Sequence, residues 1–114
     1  MEVNGTNMTM FIGKTDGFTL TIYDEDGAVV KLVTGDTLYF SVKEKLSDSS
    51  YILQKTVTTF NAAGAAVVSI DPADTSSLDA DDYIYDVQVN YVSGDKLTLV
   101  EPSSFILKGV VTDE

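Results

Sequence analysis

Apolar and polar residues alternate with a period of two along most of the chain, and helical periodicity is scarce. Phe18, Leu20 and Ile22 are separated by threonines. The same alternation recurs in residues 38–43 and in residues 66–70. Because successive side chains of a strand point to opposite faces, these segments are typical of strands with one buried face. The pattern therefore predicts a β protein.

The clearest strand covers residues 83–91. One face carries tyrosines and valines, and the other face is polar from Asp86 onward. A long strand with one polar face fits an antiparallel sheet whose outer side meets water.

Two further segments alternate less cleanly. Residues 51–59 are rich in Thr and Val, and they predict an edge strand or a bulged strand. Residues 97–100 and 104–111 predict a final strand that is interrupted at Pro102, because proline offers no N–H to a ladder. Lys55 falls inside a strand, and a lysine on an edge strand discourages uncontrolled strand pairing.

Glycine-containing turns separate these strands. They lie about 10 to 30 residues apart, which is close to the rhythm of a β-sandwich. The turns are found at residues 24–27, 34–36, 61–64 and 92–95. The one helical candidate is a short turn near residues 74–78, which follows Asp71 and Pro72.

An acidic turn precedes Tyr83, which opens the long strand. In immunoglobulin-like sandwiches a tyrosine at this corner buries its ring and binds nearby backbone through its hydroxyl. Tyr85 lies two residues on, where antibody domains place a cysteine, and is predicted to fill the core there. The chain is therefore predicted to form an all-β, immunoglobulin-like antiparallel β-sandwich of about 7–8 strands. A jelly-roll or another sandwich is the alternative, since the pattern does not fix strand order.

The predicted sandwich is a single domain over residues 1–114, with residues 1–7 left open to disorder. The length of 114 residues suits one core, and 44% hydrophobic residues exclude a disordered acidic tail. The first ten residues lack the basic and apolar regions of a signal peptide. Because no apolar stretch reaches the roughly 18 residues of a membrane span, we expect a soluble domain without membrane contact.

Charge and composition exclude several classes of function. The chain has 18 acidic residues and seven lysines, for a net charge of −11, and it has no Arg, His or Cys. Without His or Cys there is no Ser-His-Asp triad, no Cys-His pair and no ordinary zinc site. Binding to nucleic acid depends on Lys and Arg contacts to phosphate, so DNA and RNA are not expected partners.

Two acidic clusters, residues 24–26 and residues 71–82, raise the question of calcium binding. Ca²⁺ takes about 6–8 oxygen ligands, and each cluster supplies a fragment of such a set. The favoured interpretation is turn formation, because Asp binds its own backbone in turns. A pair of carboxylates acting as a glycosidase would need a cleft to raise one pKa, and acids in turns lie in water. We therefore assign no catalytic, cofactor-binding or metal-binding residue and expect no cofactor.

Exposed aromatic residues are the other candidate for function. Tyr23, Tyr39 and Tyr51 fall on or near faces that the alternation assigns to solvent. A cluster of them would form a platform for a sugar or for a protein partner. Scattered tyrosines or a second buried layer are the alternative.

Several short segments, in this order, resemble one known family. They are FTLTIYDEDG at 18–27, GDT at 35–37, FSVK at 40–43, QKT at 54–56, DPADT at 71–75 and YIYDVQ at 83–88. Together they resemble the N-terminal immunoglobulin-like domain of phage baseplate upper proteins and related small phage or prophage proteins of Gram-positive bacteria. The resemblance covers about residues 15–110. The sequence ends at Glu114, before the helical stem and the receptor-binding module of that family.

The resemblance implies a β-sandwich that serves as a virion building block and carries no catalytic residues. We therefore expect a non-enzymatic structural domain of a phage or prophage tail or baseplate assembly. Its expected partners are other phage structural proteins and further copies of itself, in the virion or in the bacterial cytoplasm before assembly. A carbohydrate-binding or adhesin-type module is the alternative.

Overall fold

The computed structural model describes residues 1–112, which form ten strands and one short helix. The strands are β1 (Glu2–Asn4), β2 (Asn7–Phe11), β3 (Asp16–Leu20), β4 (Ile22–Tyr23), β5 (Val29–Val30), β6 (Thr37–Lys43), β7 (Leu53–Val57), β8 (Ala66–Ile70), β9 (Asp81–Asn90) and β10 (Lys96–Lys108). The helix, α1 (Pro72–Thr75), lies between β8 and β9.

Two sheets pack face to face around one hydrophobic core, which confirms the predicted all-β sandwich. The larger sheet has the order β1-β2-β10-β9-β6-β7, and the smaller sheet consists of β3 and β8. A separate two-stranded ladder joins β4 to β5. The order β10-β9-β6-β7 opposite β3-β8 matches the G-F-C-C′ and B-E strands of an immunoglobulin-like sandwich.

The sandwich is not entirely antiparallel, and it has more strands than predicted. β2 and β10 run parallel, with Met8 opposite Phe105. The additional strands are short pieces, such as β4 and β5 with two residues each. A pattern of alternation needs several residues to be visible, so such pieces escape detection in the sequence.

Residues 1–7, which the sequence left open to disorder, contribute a hairpin to the edge of the larger sheet. β1 and β2 pair with Asn4 opposite Asn7, so the loop has two residues. Gly5 opens this loop with a φ of +64°. The tight two-residue turn that matches the twist of a hairpin requires glycine at its first position.

Several predicted elements have different bounds in the structure. The strand expected over residues 51–59 is β7 (Leu53–Val57), the strand expected over 83–91 is β9 (Asp81–Asn90), and the final strand ends at Lys108 instead of at residue 111. The strand expected over residues 18–23 stops after Leu20, and Ile22 begins β4 with a different partner strand. The helix begins at Pro72 instead of near residue 74, because proline is well suited to the first helical position. Among residues 1–112, no helix has the length and the apolar character needed to cross a membrane.

The structure confirms the edge strand and the interrupted final strand. β7 lies at one end of the larger sheet and pairs with β6 alone. β10 pairs with β9 along its length, but the register shifts between Val100 and Ser103, where Pro102 interrupts the ladder.

Aromatic rings fill the centre of the core. Phe40 packs its ring at 5.2 Å from Phe18, at 5.4 Å from Tyr85 and at 5.7 Å from Phe105, measured between ring centroids. Since Phe18 belongs to the smaller sheet and the other three to the larger one, this cluster joins the two layers. Tyr85 therefore fills the core as predicted, and its hydroxyl donates to the carbonyl of Thr6.

The predicted tyrosine corner is confirmed. Tyr83 is buried, and its hydroxyl donates a 2.7 Å hydrogen bond to the carbonyl oxygen of Asp79. Burial raises the pKa of the Tyr83 hydroxyl, and the negative charges of Asp81, Asp79 and Glu44 raise it further. The bond fixes the acidic turn to the start of β9.

A buried carboxylate joins two loops at one end of the sandwich. Asp36 is 3% exposed. Its Oδ2 accepts from the N–H of Val33 and its Oδ1 accepts from the N–H of Val92, each at 2.9 Å. The sequence indicated a turn at Asp36, but the bond to Val92 spans 56 residues and could not be seen there.

Candidate functional site

The outer face of the larger sheet forms a shallow groove across β6, β7 and β9. Tyr39, Ser41 and Lys43 alternate along β6 with core residues, so their side chains point away from the core. The groove has a volume of about 240 Å³. The residues that line it are Tyr39, Ser41, Lys43, Leu46, Tyr51, Gln54, Ile84, Tyr85, Asp86, Gln88, Asn90 and Pro102, and the Tyr85 ring itself points into the core. We call this surface the outer groove.

Two side-chain hydrogen bonds organise the floor of the outer groove. The amide Nε2 of Gln54 donates to the Ser41 hydroxyl at 3.0 Å. The amide Nε2 of Gln88 donates to Oδ1 of Asn90 at 2.6 Å. Each bond holds an amide in one orientation, which leaves the carbonyl oxygens of Gln54 and Gln88 and the Asn90 amide nitrogen able to bind a ligand.

Tyr51 forms one wall of the outer groove. Its side chain is 52% exposed, and the Lys43 ammonium lies 5.3 Å from the centre of its ring. This cation–π contact orients both side chains at the rim. The groove therefore combines an aromatic surface with amide donors and acceptors.

The structure brings two of the three candidate tyrosines together. Tyr39 and Tyr51 both line the outer groove. Tyr23 is 62% exposed, but it lies on β4 opposite Val29 and does not contribute to this surface. The predicted aromatic platform is therefore a pair, with Tyr23 as an exposed tyrosine outside it.

The first acidic cluster forms a turn. Oδ1 of Asp24 accepts from the N–H groups of Asp26 and Ala28, each at 2.9 Å. These bonds use the Asp24 carboxylate to close the loop between β4 and β5.

The second acidic cluster caps α1 and joins it to β7. Oδ2 of Asp74 accepts from the Asp71 N–H at 2.7 Å and also forms a 2.7 Å ion pair with the Lys55 ammonium. Partial burial opposes ionisation of Asp74, but the hydrogen bonds from Lys55 and Asp71 and the charge of Lys55 outweigh it. The pKa of Asp74 therefore lies below its usual value. Within residues 1–112, no group of three acidic side chains is arranged to hold a metal ion.

The outer groove carries one charge of each sign. Among the described residues that line it, Lys43 is the cation and Asp86 is the carboxylate. In a molecule with a net charge of −11, this surface is locally neutral. The arrangement is suited to recognition by stacking and hydrogen bonding.

Sequence reasoning missed most of the outer groove. Ser41, Gln54, Gln88 and Asn90 are ordinary polar residues on solvent-facing positions of three strands. Their alternation was visible, but their proximity depends on the pairing of β6 with both β7 and β9. That pairing is a property of the fold and has no local signal.

Comparison of the chain with family models, with curated proteins and with solved structures finds no match.

Proposed function

We propose that this chain is a non-enzymatic structural domain that binds other proteins in a phage or prophage tail or baseplate assembly. The observation that carries the proposal is the outer groove, a tyrosine-containing and locally neutral surface on a strongly acidic molecule. Protein interfaces are enriched in Tyr and depleted of charge at their centres. The phage context comes from the resemblance of residues 15–110 to baseplate upper proteins.

The proposed partners are other virion proteins and further copies of this chain. The virion, or the bacterial cytoplasm before assembly, is the proposed location. Because like charges repel, a partner without an excess of acid at its own binding surface is favoured.

Co-purification with phage or prophage tail proteins tests the proposal. Tyr51→Ala removes one wall of the outer groove, and Tyr23→Ala removes a tyrosine of somewhat higher exposure outside it. We expect a tail protein to co-purify with the wild-type chain and with Tyr23→Ala, and the yield to fall at least tenfold with Tyr51→Ala. Absence of any tail protein from the wild-type sample would contradict the proposal.

A second candidate function is binding of a saccharide in the same groove. Tyr51 offers a ring on which a sugar can stack, and Gln54, Gln88 and Asn90 offer fixed amide groups to sugar hydroxyls. The groove volume of about 240 Å³ lies below the roughly 300–1,000 Å³ of pockets for drug-sized ligands, so the groove suits a small ligand such as one sugar unit.

A glycan array separates the two candidates. Saccharide binding predicts signals that Gln88→Ala and Tyr51→Ala abolish and that Tyr23→Ala preserves. A blank array at high protein concentration, together with co-purification of a tail protein, would leave the assembly role alone.

A further inference from the structure

The outer groove holds a cation and an anion that are near neighbours without forming an ion pair. Where β6 pairs with β9, Ser41 lies opposite Asp86 and Lys43 lies opposite Ile84. Lys43 and Asp86 therefore occupy diagonal positions on one face of the sheet, which are roughly 7–8 Å apart in such a pair of strands. Within residues 1–112, neither side chain belongs to an ion pair.

Both charges are accessible to a partner. Lys43 and Asp86 are each half-buried at the open side of the groove. The Lys43 ammonium lies over the ring of Tyr51, and this contact orients the ammonium without neutralising its charge. The groove therefore offers one available charge of each sign.

Apolar side chains stand beside these two charges. Leu46 is 63% exposed and Tyr51 is 52% exposed, and both line the groove. Exposed apolar side chains that cluster at one place mark interaction sites, because a partner that covers them removes them from water. The outer groove thus combines an apolar rim with two charges that lack an ionic partner in the described chain.

A surface with one charge of each sign is complementary to a second copy of itself. In a two-fold interface each contact occurs twice, so a residue that touches a second residue is touched by it in return. A two-fold axis that runs parallel to the sheet face, midway between Lys43 and Asp86, brings each lysine against the aspartate of the other copy. A uniformly acidic face would instead repel its own copy.

We propose that two copies of this chain pair face to face through the outer groove, with Lys43 of each copy against Asp86 of the other. The inference rests on the proposed function of the outer groove and names a second copy as its occupant. The net charge of −11 opposes association, so the pair forms at high protein concentration. In dilute solution the groove stays open to a tail protein.

Charge reversal at the two positions tests this contact. Lys43→Glu places acids against acids, and Asp86→Lys places lysines against lysines, twice in each pair of copies. The double variant Lys43→Glu with Asp86→Lys exchanges the two charges and keeps the net charge at −11. Asp95→Lys is the matched control for Asp86→Lys, since both bring the net charge to −9 and Asp95 is an exposed residue that does not line the groove.

Sedimentation velocity across a concentration series, at about 100 mM NaCl, measures the dimer dissociation constant while screening charges more than about 10 Å apart. We expect each single groove variant to dimerise at least about tenfold more weakly than wild type, because like charges then oppose each other. The double variant should return to within about threefold of wild type. Net charge alone predicts equal and tighter pairing for Asp86→Lys and Asp95→Lys.

Mixing the two single variants gives a second test that misfolding cannot imitate. One copy then carries two acids in its groove and the other carries two lysines, so every charge meets its opposite. We expect the mixture to form mixed pairs at concentrations at which each variant alone is monomeric. Circular dichroism of each variant checks that the fold is retained.

A wild-type chain that stays monomeric at millimolar concentration overturns the inference. Equal dissociation constants for Asp86→Lys and Asp95→Lys overturn it as well, and so does a mixture without mixed pairs. A tail protein or a glycan that binds a strictly monomeric chain would leave the groove with that occupant instead. Charge-dependent pairing without any co-purified tail protein would support this contact and contradict the phage role, so the two failures are distinguishable.

Discussion

Asp36 shows how one carboxylate can organise two distant loops. Its oxygens accept from the N–H groups of Val33 and Val92, and the carboxylate is almost completely buried. Val33 and Val92 are exposed residues, but their hydrogen bonds to Asp36 are part-buried, so an N–H that loses this acceptor pays part of the cost of its desolvation. Asp36 therefore contributes to stability through the two donors that it satisfies.

We predict that Asp36→Ala lowers the free energy of unfolding by about 2 kcal/mol, because two N–H groups lose their acceptor. Urea denaturation followed by circular dichroism measures the change. Asp95→Ala is the matched control, an exposed aspartate in the β9–β10 turn, and it should stay within about 0.5 kcal/mol of wild type. An equal loss of unfolding free energy in Asp36→Ala and Asp95→Ala would show that Asp36 does not stabilise the fold by joining the two loops.

Gly64 depends on a close approach between two elements. It lies in the turn before β8 with a φ of +76°, and a Cβ there would come within 2.6 Å of the Lys31 backbone. Gly94 has a φ of +101° in the β9–β10 turn, but a Cβ there would meet no atom within 4 Å. A substitution at Gly94 therefore tests backbone strain alone, whereas a substitution at Gly64 adds a steric clash to the same kind of strain.

We predict that Gly94→Ala costs about 1–2 kcal/mol of stability, from the left-handed backbone alone. Gly64→Ala should cost clearly more, because the turn must also move away from Lys31. Thermal denaturation of both variants measures the difference. Equal melting temperatures would show that the contact with Lys31 relaxes freely.

The link between β7 and α1 gives the stability of the sandwich a component that depends on pH. The pKa of Asp74 is lowered in the folded chain from its usual value near 3.8. A carboxyl whose folded pKa is depressed stabilises fully above its unfolded pKa and loses that contribution as pH falls through its folded pKa.

We therefore predict that the stability difference between the wild-type chain and Asp74→Asn is constant near neutral pH. The difference should shrink progressively below about pH 4. Urea midpoints at several pH values measure it, with Asp95→Asn as a control for a general loss of one acid. A difference that does not change with pH would show that Lys55 does not hold this carboxylate.

At the scale of elements, local signals were readable in the sequence and long-range pairings were not. β9 and the tyrosine corner at Tyr83 were predicted, because alternation and an acidic turn are contained within a few residues. The parallel pairing of β2 with β10 was not predicted, because nothing in residues 7–11 indicates a partner near the other end of the chain. The outer groove was not predicted for the same reason, because its residues come together only through the pairing of β6 with β7 and β9.

The whole molecule carries its negative charge in a small volume. Its principal extents are 43, 31 and 24 Å, so most charges lie within a Debye length of about 30 Å at about 10 mM salt. At physiological ionic strength that length falls to about 8 Å. Mutual repulsion of the acids therefore destabilises the folded chain most at low salt.

We predict that the melting temperature rises as NaCl is increased from about 10 mM to about 150 mM, because salt screens this repulsion. Differential scanning calorimetry measures the trend. Glu25→Lys with Asp26→Lys changes two exposed acids of the β4–β5 turn and brings the net charge from −11 to −7. The melting temperature of this variant should therefore rise less with salt than that of the wild-type chain. A melting temperature that falls with salt would mean that attractive pairs such as Lys55–Asp74 outweigh the repulsion.

The parallel pairing of β2 with β10 has a consequence for the order of events in folding. Ser104 and Asn7, which bond across this part of the sheet, are 97 residues apart in the chain. Closing so long a loop costs entropy before any contact repays it, and contacts of high sequence separation slow folding. During synthesis β2 must wait for β10 to leave the ribosome, so the larger sheet cannot close until residues 96–108 have been translated.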